Sequence, residues 1–440
     1  MCRLAVAPLA LVLSAAPASG QDSLSSRPVL PRNALVLGDL YADVQRSSPR
    51  LEAARALVRA AEARIPASKL PPDPQLQLGF MNYTVPGLRP MDPLGLAQLQ
   101  LMQMVPVAGK LGLSGRVSTA QAGAQRERAN DVSWELRSQA AMAFYELYQT
   151  EQRLVVMRET LRLLQDLQRT AEAMYRVGEG RQADVLRAQV EIARMTEDTL
   201  RMQTMRTSMQ ARLNALLNRA PNAEVAEPLL PAFPDSLPTA DALTSAAESN
   251  RPMVKAGERE LEAADNSARL ARREMWPDLA LGIQYGQRSA EMGVERMGSL
   301  MIGASVPIFA SQRQLRMREE ASAMQAMARA DLATMRADTR GRVVEAYANL
   351  TRARNLIRLY RNTVLPQAEA TVTSSLAAYR VGSVDFMTAL DNRMKVNEYR
   401  QELLTLEAEE GTAWAELEML LGRELFDPSV TRRSANGDAR

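Results

Sequence analysis

The sequence predicts a mainly α-helical protein with a small β part, built as two copies of one unit. Three observations carry this reading. From about Gly109 to Pro221 there is no proline, and Leu147, Leu154, Met157, Leu161, Leu164, Leu167, Ala171 and Met174 recur at helical spacing. A run of that length far exceeds an ordinary globular helix and argues for coiled-coil packing. Four short stretches, arranged in two pairs, alternate apolar with polar or small residues, which is the period of a β-strand. Tyr-Arg-Val-Gly occurs twice, at Tyr175–Gly178 and Tyr379–Gly382. Each copy interrupts a long helical run at a glycine, the residue that accepts backbone angles closed to others.

Residues 1–20 read as a secretory signal: Arg3, an apolar core from Leu4 to Leu13, and small residues from Ala16 to Gly20. The core falls well short of the ~20 residues of a spanning helix. Cys2, the only cysteine, lies inside that signal, and Gln21 stands where a lipoprotein carries its cysteine. Residues 21–38 are rich in Ser, Pro and Arg and predict an extended arm. The first repeat takes residues 39–220. It holds a helix from about Asp39 to about Pro66 and a break at Pro71-Pro72-Asp73-Pro74. Strands follow over about 75–83 and 97–105, then a long helix, the first Val-Gly break and a further helix. Five prolines make residues 221–239 a linker. The second repeat takes residues 240–426. Its helix ends near Met275, Trp276-Pro277 breaks the chain, and strands follow over about 278–287 and 298–306. A long helix from about Ser311 to Tyr379 and a last helix to Leu421 flank the second Val-Gly break. Residues 427–440 predict a disordered tail. The halves correspond at a nearly constant offset. Pro49 matches Pro252, Pro74 to Gly79 matches Pro277 to Gly282, and Val105-Pro106 matches Val306-Pro307. Four landmarks in one order, the Tyr-Arg-Val-Gly pair included, mark an internal duplication.

The 440 residues carry a formal net charge of +3 with the charges interleaved, so no basic patch advertises nucleic acid. There is no histidine, which removes the commonest general base and zinc ligand. No phosphate loop, nucleophile elbow or metal-spaced cluster stands out. The expectation is a protein without catalysis and without a cofactor. After residue 20 no apolar run is long enough for a transmembrane helix, so a membrane crossing would need strands in a closed barrel. The alternating strands fit such a lipid-facing sheet, and they fit a soluble sheet packed on helices. Four strands are too few to close a water-filled barrel, so the first alternative requires several protomers to share one.

Several stretches together carry a family resemblance. They are the doubled Tyr-Arg-Val-Gly, the Asp184-Val185-Leu186-Arg187-Ala188-Gln189 after its first copy, and the Ser48-Pro49 and Arg251-Pro252 helix starts. Leu70-Pro71-Pro72-Asp73-Pro74 and Trp276-Pro277-Asp278, ahead of the strands, complete the set. Over nearly all of residues 39–422 the chain resembles the TolC-like outer-membrane efflux proteins. The resemblance implies a homotrimer in which each protomer gives four strands to one twelve-stranded barrel in the outer membrane of a Gram-negative cell, against lipid. The helices would continue as a coiled-coil tunnel through the periplasm. It implies a passive exit duct, docked through a periplasmic adaptor protein to an inner-membrane pump. It places Tyr175, Val177, Gly178, Tyr379, Val381 and Gly382 at the tips where adaptor hairpins dock. It places Asp391 in a carboxylate ring closing the periplasmic entrance, with Asp184 as its first-half counterpart and Asp385 as a supplement. The sequence departs from the family at Thr388, where a further acidic residue is often found. Val105-Pro106-Val107-Ala108-Gly109-Lys110 resembles a turn of members paired with heavy-metal pumps. Met81, Met91, Met102 and Met104 cluster around the first hairpin, and Met292, Met297 and Met301 around the second. Thioethers suit Cu(I), although methionines at core spacing are ordinary fillers. A copper or other cation cargo is thus a finer expectation. A soluble periplasmic coiled-coil adaptor or scaffold is the alternative to the duct.

Overall fold

The computed structural model describes residues 34–91, 95–290 and 293–431. The predicted signal lies outside the described residues, as does the predicted tail from residue 432 onward. In chain order the elements are β1 (Ala34–Leu35), α1 (Leu37–Ser47), α2 (Pro49–Ser68), β2 (Gln75–Met81), β3 (Tyr83–Thr84), β4 (Arg89–Pro90), β5 (Leu96–Val105), α3 (Lys110–Arg176), α4 (Gln182–Leu216), β6 (Glu227–Pro228), α5 (Ala240–Asn250), α6 (Pro252–Arg273), β7 (Leu279–Ala290), β8 (Gly293–Ala304), α7 (Gln314–Leu359), a π-helical segment (Tyr360–Val364), α8 (Leu365–Arg380) and α9 (Phe386–Leu421). The helices α1 and α2, expected as one, part at Ser48, and α5 and α6 part at Arg251. In each case a proline takes the first helical position, where its missing N–H costs nothing.

At 67 residues, α3 is a rod of about 100 Å and the spine of the molecule. Toward the sheet it lies beside α2 and α6, and α6 lies beside α7. Toward the other end it packs on α4 and α9, and α9 on α8. The apolar periodicity read from the sequence becomes the core of this far bundle. Met157, Leu164, Leu167 and Ala171 of α3 close on Ala188 and Met195 of α4 and on Tyr379, Phe386, Ala389 and Leu390 of the second repeat. The repeats differ in one respect. Pro366 has no N–H, and the second-repeat rod meets it by widening into the π segment, where the Leu365 N–H bonds to Tyr360 O. The corresponding residue of the first repeat is Arg162, and α3 runs through it unbroken.

Residues 21–33 of the expected arm also lie outside the described residues, while residues 34–38, the linker and residues 427–431 are tied into the fold. Residues 34–38 enter β1 and α1, and β1 pairs in parallel with β6 of the Pro-rich segment. Pro231 bridges to Thr431, and the Ala232 N–H bonds to Val430 O at 2.9 Å. Apolar burial explains this, since Leu37, Leu40 and Val44 join Leu230 in one core. Glu418 of α9 pins the following turn by accepting the Leu425 N–H at 2.7 Å. Burial pushes its carboxyl up to about 7 from the ordinary 4.5. The folded state therefore holds this proton more tightly than the unfolded chain. The associated stability is present below about 4.5 and lost as pH rises through about 7. Glu418→Gln is expected to flatten that slope when urea midpoints are measured from pH 5 to pH 8.

Candidate functional site

The four main strands form one antiparallel sheet in the order β2-β5-β7-β8, so the hairpins of the two repeats meet at β5 and β7. The strands run to residues 81, 105, 290 and 304, and β5, β7 and β8 start at 96, 279 and 293. The second hairpin is thus shifted and lengthened against the expected 278–287 and 298–306, because pairing continues from Gln287↔Arg296 to Ala290↔Gly293. Strand register assigns every residue to one of two faces. Leu76, Leu78, Phe80, Leu99, Leu101, Val105, Leu279, Leu281, Ile283, Tyr285, Leu300 and Ile302 share the first. Gln75, Gln77, Gln98, Gln100, Gln284 and Ser299 share the second with four glycines. Gln284 donates across this face to Gln98. In a soluble sheet a helix layer covers the apolar face. Here Leu101 is 40% and Leu300 73% exposed, with the rest of the face's large residues comparably open. The outer edges of β2 and β8 carry no partner strand among the described residues.

Where β5 turns into α3, the repeats are bolted together. Lys110 is 5% exposed, and its Nζ donates to Asp278 Oδ1 at 2.8 Å and to Trp276 O at 2.9 Å, with Glu274 at 3.4 Å. Asp278 also accepts the Val107 N–H at 3.3 Å. The turn singled out in the sequence thus positions a lysine, and its partners lie some 170 residues away. Nothing local in the sequence pairs Lys110 with Asp278.

At the opposite end the two Val-Gly turns share one geometry. Gly178 (φ +80°) and Gly382 (φ +72°) take the left-handed conformation. The Gly178 and Gly382 N–H groups bond to Tyr175 O and Tyr379 O, and the Glu179 and Ser383 N–H groups bond to Met174 O and Ala378 O. This six-to-one closure ends each helix. Val177 and Val381 are 71% and 79% exposed and form the apolar points of the tips. The tyrosines part company. Tyr175 is 48% exposed and Tyr379 only 6%, because Tyr379 has Phe386 to pack on (ring centroids 5.7 Å apart). The first repeat carries the polar Gln182 at that position. Tyr379, expected on the docking surface, is therefore a packing residue of the tip. Its hydroxyl has no hydrogen-bond partner among the described residues. Burial and then the Asp184 charge raise its pKa.

The three expected gate carboxylates fall in different places. Asp184 is the third residue of α4, half-buried near Tyr379. By the shared turn geometry its counterpart is Thr388, third in α9, and not Asp391. Asp385 stands at the N-cap position of α9, and its carboxylate accepts the Thr388 hydroxyl, which lowers its pKa. That bond engages it locally. Asp391, sixth in α9, is exposed and has no ion-pair partner among the described residues.

The family model described as outer membrane efflux protein matches residues 40–219 and 243–423. The chain belongs to the outer membrane efflux protein family. The two matched stretches are the two repeats, so the duplication is a feature of the outer membrane efflux fold itself. No curated protein matches the chain. Among solved structures, CusC is similar at 18% identity with a TM-score of 0.76, covering 88% of this chain and 92% of its own. The outer membrane protein VceC from Vibrio cholerae is similar at 16% identity with a TM-score of 0.75, covering 89% and 97%. The outer membrane channel MtrE of Neisseria gonorrhoeae, in its open state, is similar at 16% identity with a TM-score of 0.73, covering 88% and 89%. At these identities the likeness is one of fold. The family places the chain among outer-membrane channels, not enzymes, and the soluble-adaptor alternative gains nothing from it.

Proposed function

We propose that three copies of this chain form the outer-membrane duct of a tripartite efflux system, a passive exit path fed by an inner-membrane pump through a periplasmic adaptor. The observation that carries the reading is the sheet with an uncovered apolar face, an open polar face and two unpaired edges. Joining β8 of one copy to β2 of the next satisfies the edges and turns the apolar face to lipid and the glutamines to water. Twelve strands enclose an aqueous lumen where four cannot. The rods then continue as a periplasmic tunnel, and the Val177-Gly178 and Val381-Gly382 turns become its far end, where adaptor hairpins dock. Recovery from outer membranes as a heat-modifiable trimer that opens pores in planar bilayers is the expected result. Full solubility in the periplasm without detergent would sink it.

Asp391 is the gate residue of this reading, with Asp184 and Asp385 in supporting places. Three aspartates around a three-fold axis attract cations and hold divalent ions at the entrance. Asp391→Ala is expected to raise single-channel conductance and weaken divalent block about tenfold. Unchanged conductance and block would remove Asp391 from the role. A heavy-metal cargo, copper among the candidates, is the finer reading, and the methionines of the sheet's polar face support it.

A further inference from the structure

Methionine is confined to one face of the sheet. Met81, Met102, Met104, Met297 and Met301 all share the glutamine face, while the other face carries Leu, Ile, Phe, Tyr and Val, with Gln103, Gln287 and Arg296 toward its ends, and no methionine. A methionine used as filler goes wherever packing leaves a gap, and large residues on both faces stand open. The glycines of that face leave gaps that flexible side chains fill, and the methionines that fill them also bring thioethers to the water side.

Two of the five converge. Strand register lines up Met102, Gly282 and Met301 in one row across β5, β7 and β8. Gly282 has no side chain. Where its Cβ would be, Met102 Cγ lies 3.2 Å away and Met301 Cε 3.3 Å away. Both arms thus lean over the same glycine from opposite sides. With neighbouring strands ~4.8 Å apart, the two Cα atoms are about 10 Å apart, a gap that two flexible thioether arms close on a single ion. Thioethers are neutral and soft, which selects Cu(I) or Ag(I) over Zn²⁺, Mg²⁺ and Ca²⁺. No competing site interferes: among the described residues no group of three or more acidic, histidine or cysteine side chains is placed to hold a metal. We infer that Met102 and Met301, paired across Gly282 on the polar face of the sheet, form a transfer site for soft monovalent cations on the duct wall. The inference rests on the duct reading and names its cargo class. Two neutral donors bind such an ion weakly enough to release it, as passage demands. Three protomers place three such pairs around one ring.

The test is calorimetric titration of the detergent-solubilised trimer with silver nitrate in chloride-free buffer. Saturable binding of one Ag⁺ per protomer is expected, with no saturable heat from Zn²⁺. The volume-conserving double variant Met102→Leu/Met301→Leu is expected to weaken binding at least about tenfold, while Met104→Leu, one row nearer the helices, leaves it within about twofold. Gly282→Ala keeps both sulfurs but puts a methyl between them, and it is expected to weaken binding to a similar degree even if the double variant fails to fold. Absence of saturable Ag⁺ binding in the parent protein, or binding unchanged in Gly282→Ala and in the double variant, overturns the site. Planar-bilayer conductance of the same samples judges the duct separately. A conducting trimer that takes up no Ag⁺ loses the site and keeps the duct. A protein with methionine-dependent Ag⁺ uptake and no pore keeps the site and loses the duct.

Discussion

Lys110→Met is expected to loosen the base of the sheet and lower stability by about 3 kcal/mol, read as a fall in the dissociation temperature of the trimer in detergent. The lysine reaches three acceptors at once, Asp278, Trp276 O and Glu274, and its side chain is almost wholly buried. Removing one partner of a buried ion pair strands the other, at a cost of about 3–5 kcal/mol. The lower end applies because the Asp278 side chain keeps about a fifth of its surface in water. The double variant Lys110→Met/Asp278→Asn separates mechanisms, because it removes the stranded charge together with the cation. Recovery of more than half the loss identifies uncompensated charge as the cause. A double variant as weak as the single would put the effect in packing instead. Conductance should also become noisier in Lys110→Met, since the residue holds the turn from β5 into α3 of one repeat against the entry into β7 of the other.

Gly411→Ala is the second large effect. Gly411 lies on α9 directly over the ring of Tyr145 on α3, and an added Cβ would sit 2.6 Å from Tyr145 Cδ1 and closer still to two further ring atoms. The ring has nowhere to go. Tyr145 is fully buried, edge-on to Phe144 and tilted against Phe233, which stacks on Trp414 and meets Phe426 edge-on. The helices themselves must therefore part. Overpacking of this kind costs about 1–3 kcal/mol or more, and the upper end is expected because a rigid ring is the obstacle. Tyr145→Leu in the same chain should recover part of the loss in urea unfolding. Additive losses in the double variant would show that the contact is not the cause.

The long rods, the duplication and the four strands were legible because each is a local pattern repeated many times. A 67-residue helix announces itself through dozens of spacings, and alternation fixes the strands and, through register, their faces. What stayed hidden depends on pairing between distant segments. The arm and the linker show no regular element when read singly, yet β1 and β6 need each other, and Thr431 bridges to Pro231. The Lys110–Asp278 bolt is invisible for the same reason. The tip residues were found by motif, and the motif located the turns without distinguishing them. Tyr175 and Tyr379 occupy equal sequence positions, and only the neighbour at Phe386, against Gln182, buries one and exposes the other. Asp391 was reached by resemblance, while the helix registers show Asp184 aligned with Thr388.

The junction of β5 with β7 also sets a timetable. It pairs residues 96–105 with residues 279–288, so the first hairpin cannot join the full sheet until the chain has delivered some 170 further residues. Contacts so distant in sequence form slowly. Throughout that interval the β2–β5 ribbon presents Leu76, Leu78, Leu99 and Leu101 to water with neither lipid nor neighbour against them. An unaccompanied chain in that state aggregates. In the duct reading, an escort that covers this ribbon until β7 arrives would keep each copy from aggregating, and the barrel wall would be sealed only by the second hairpin.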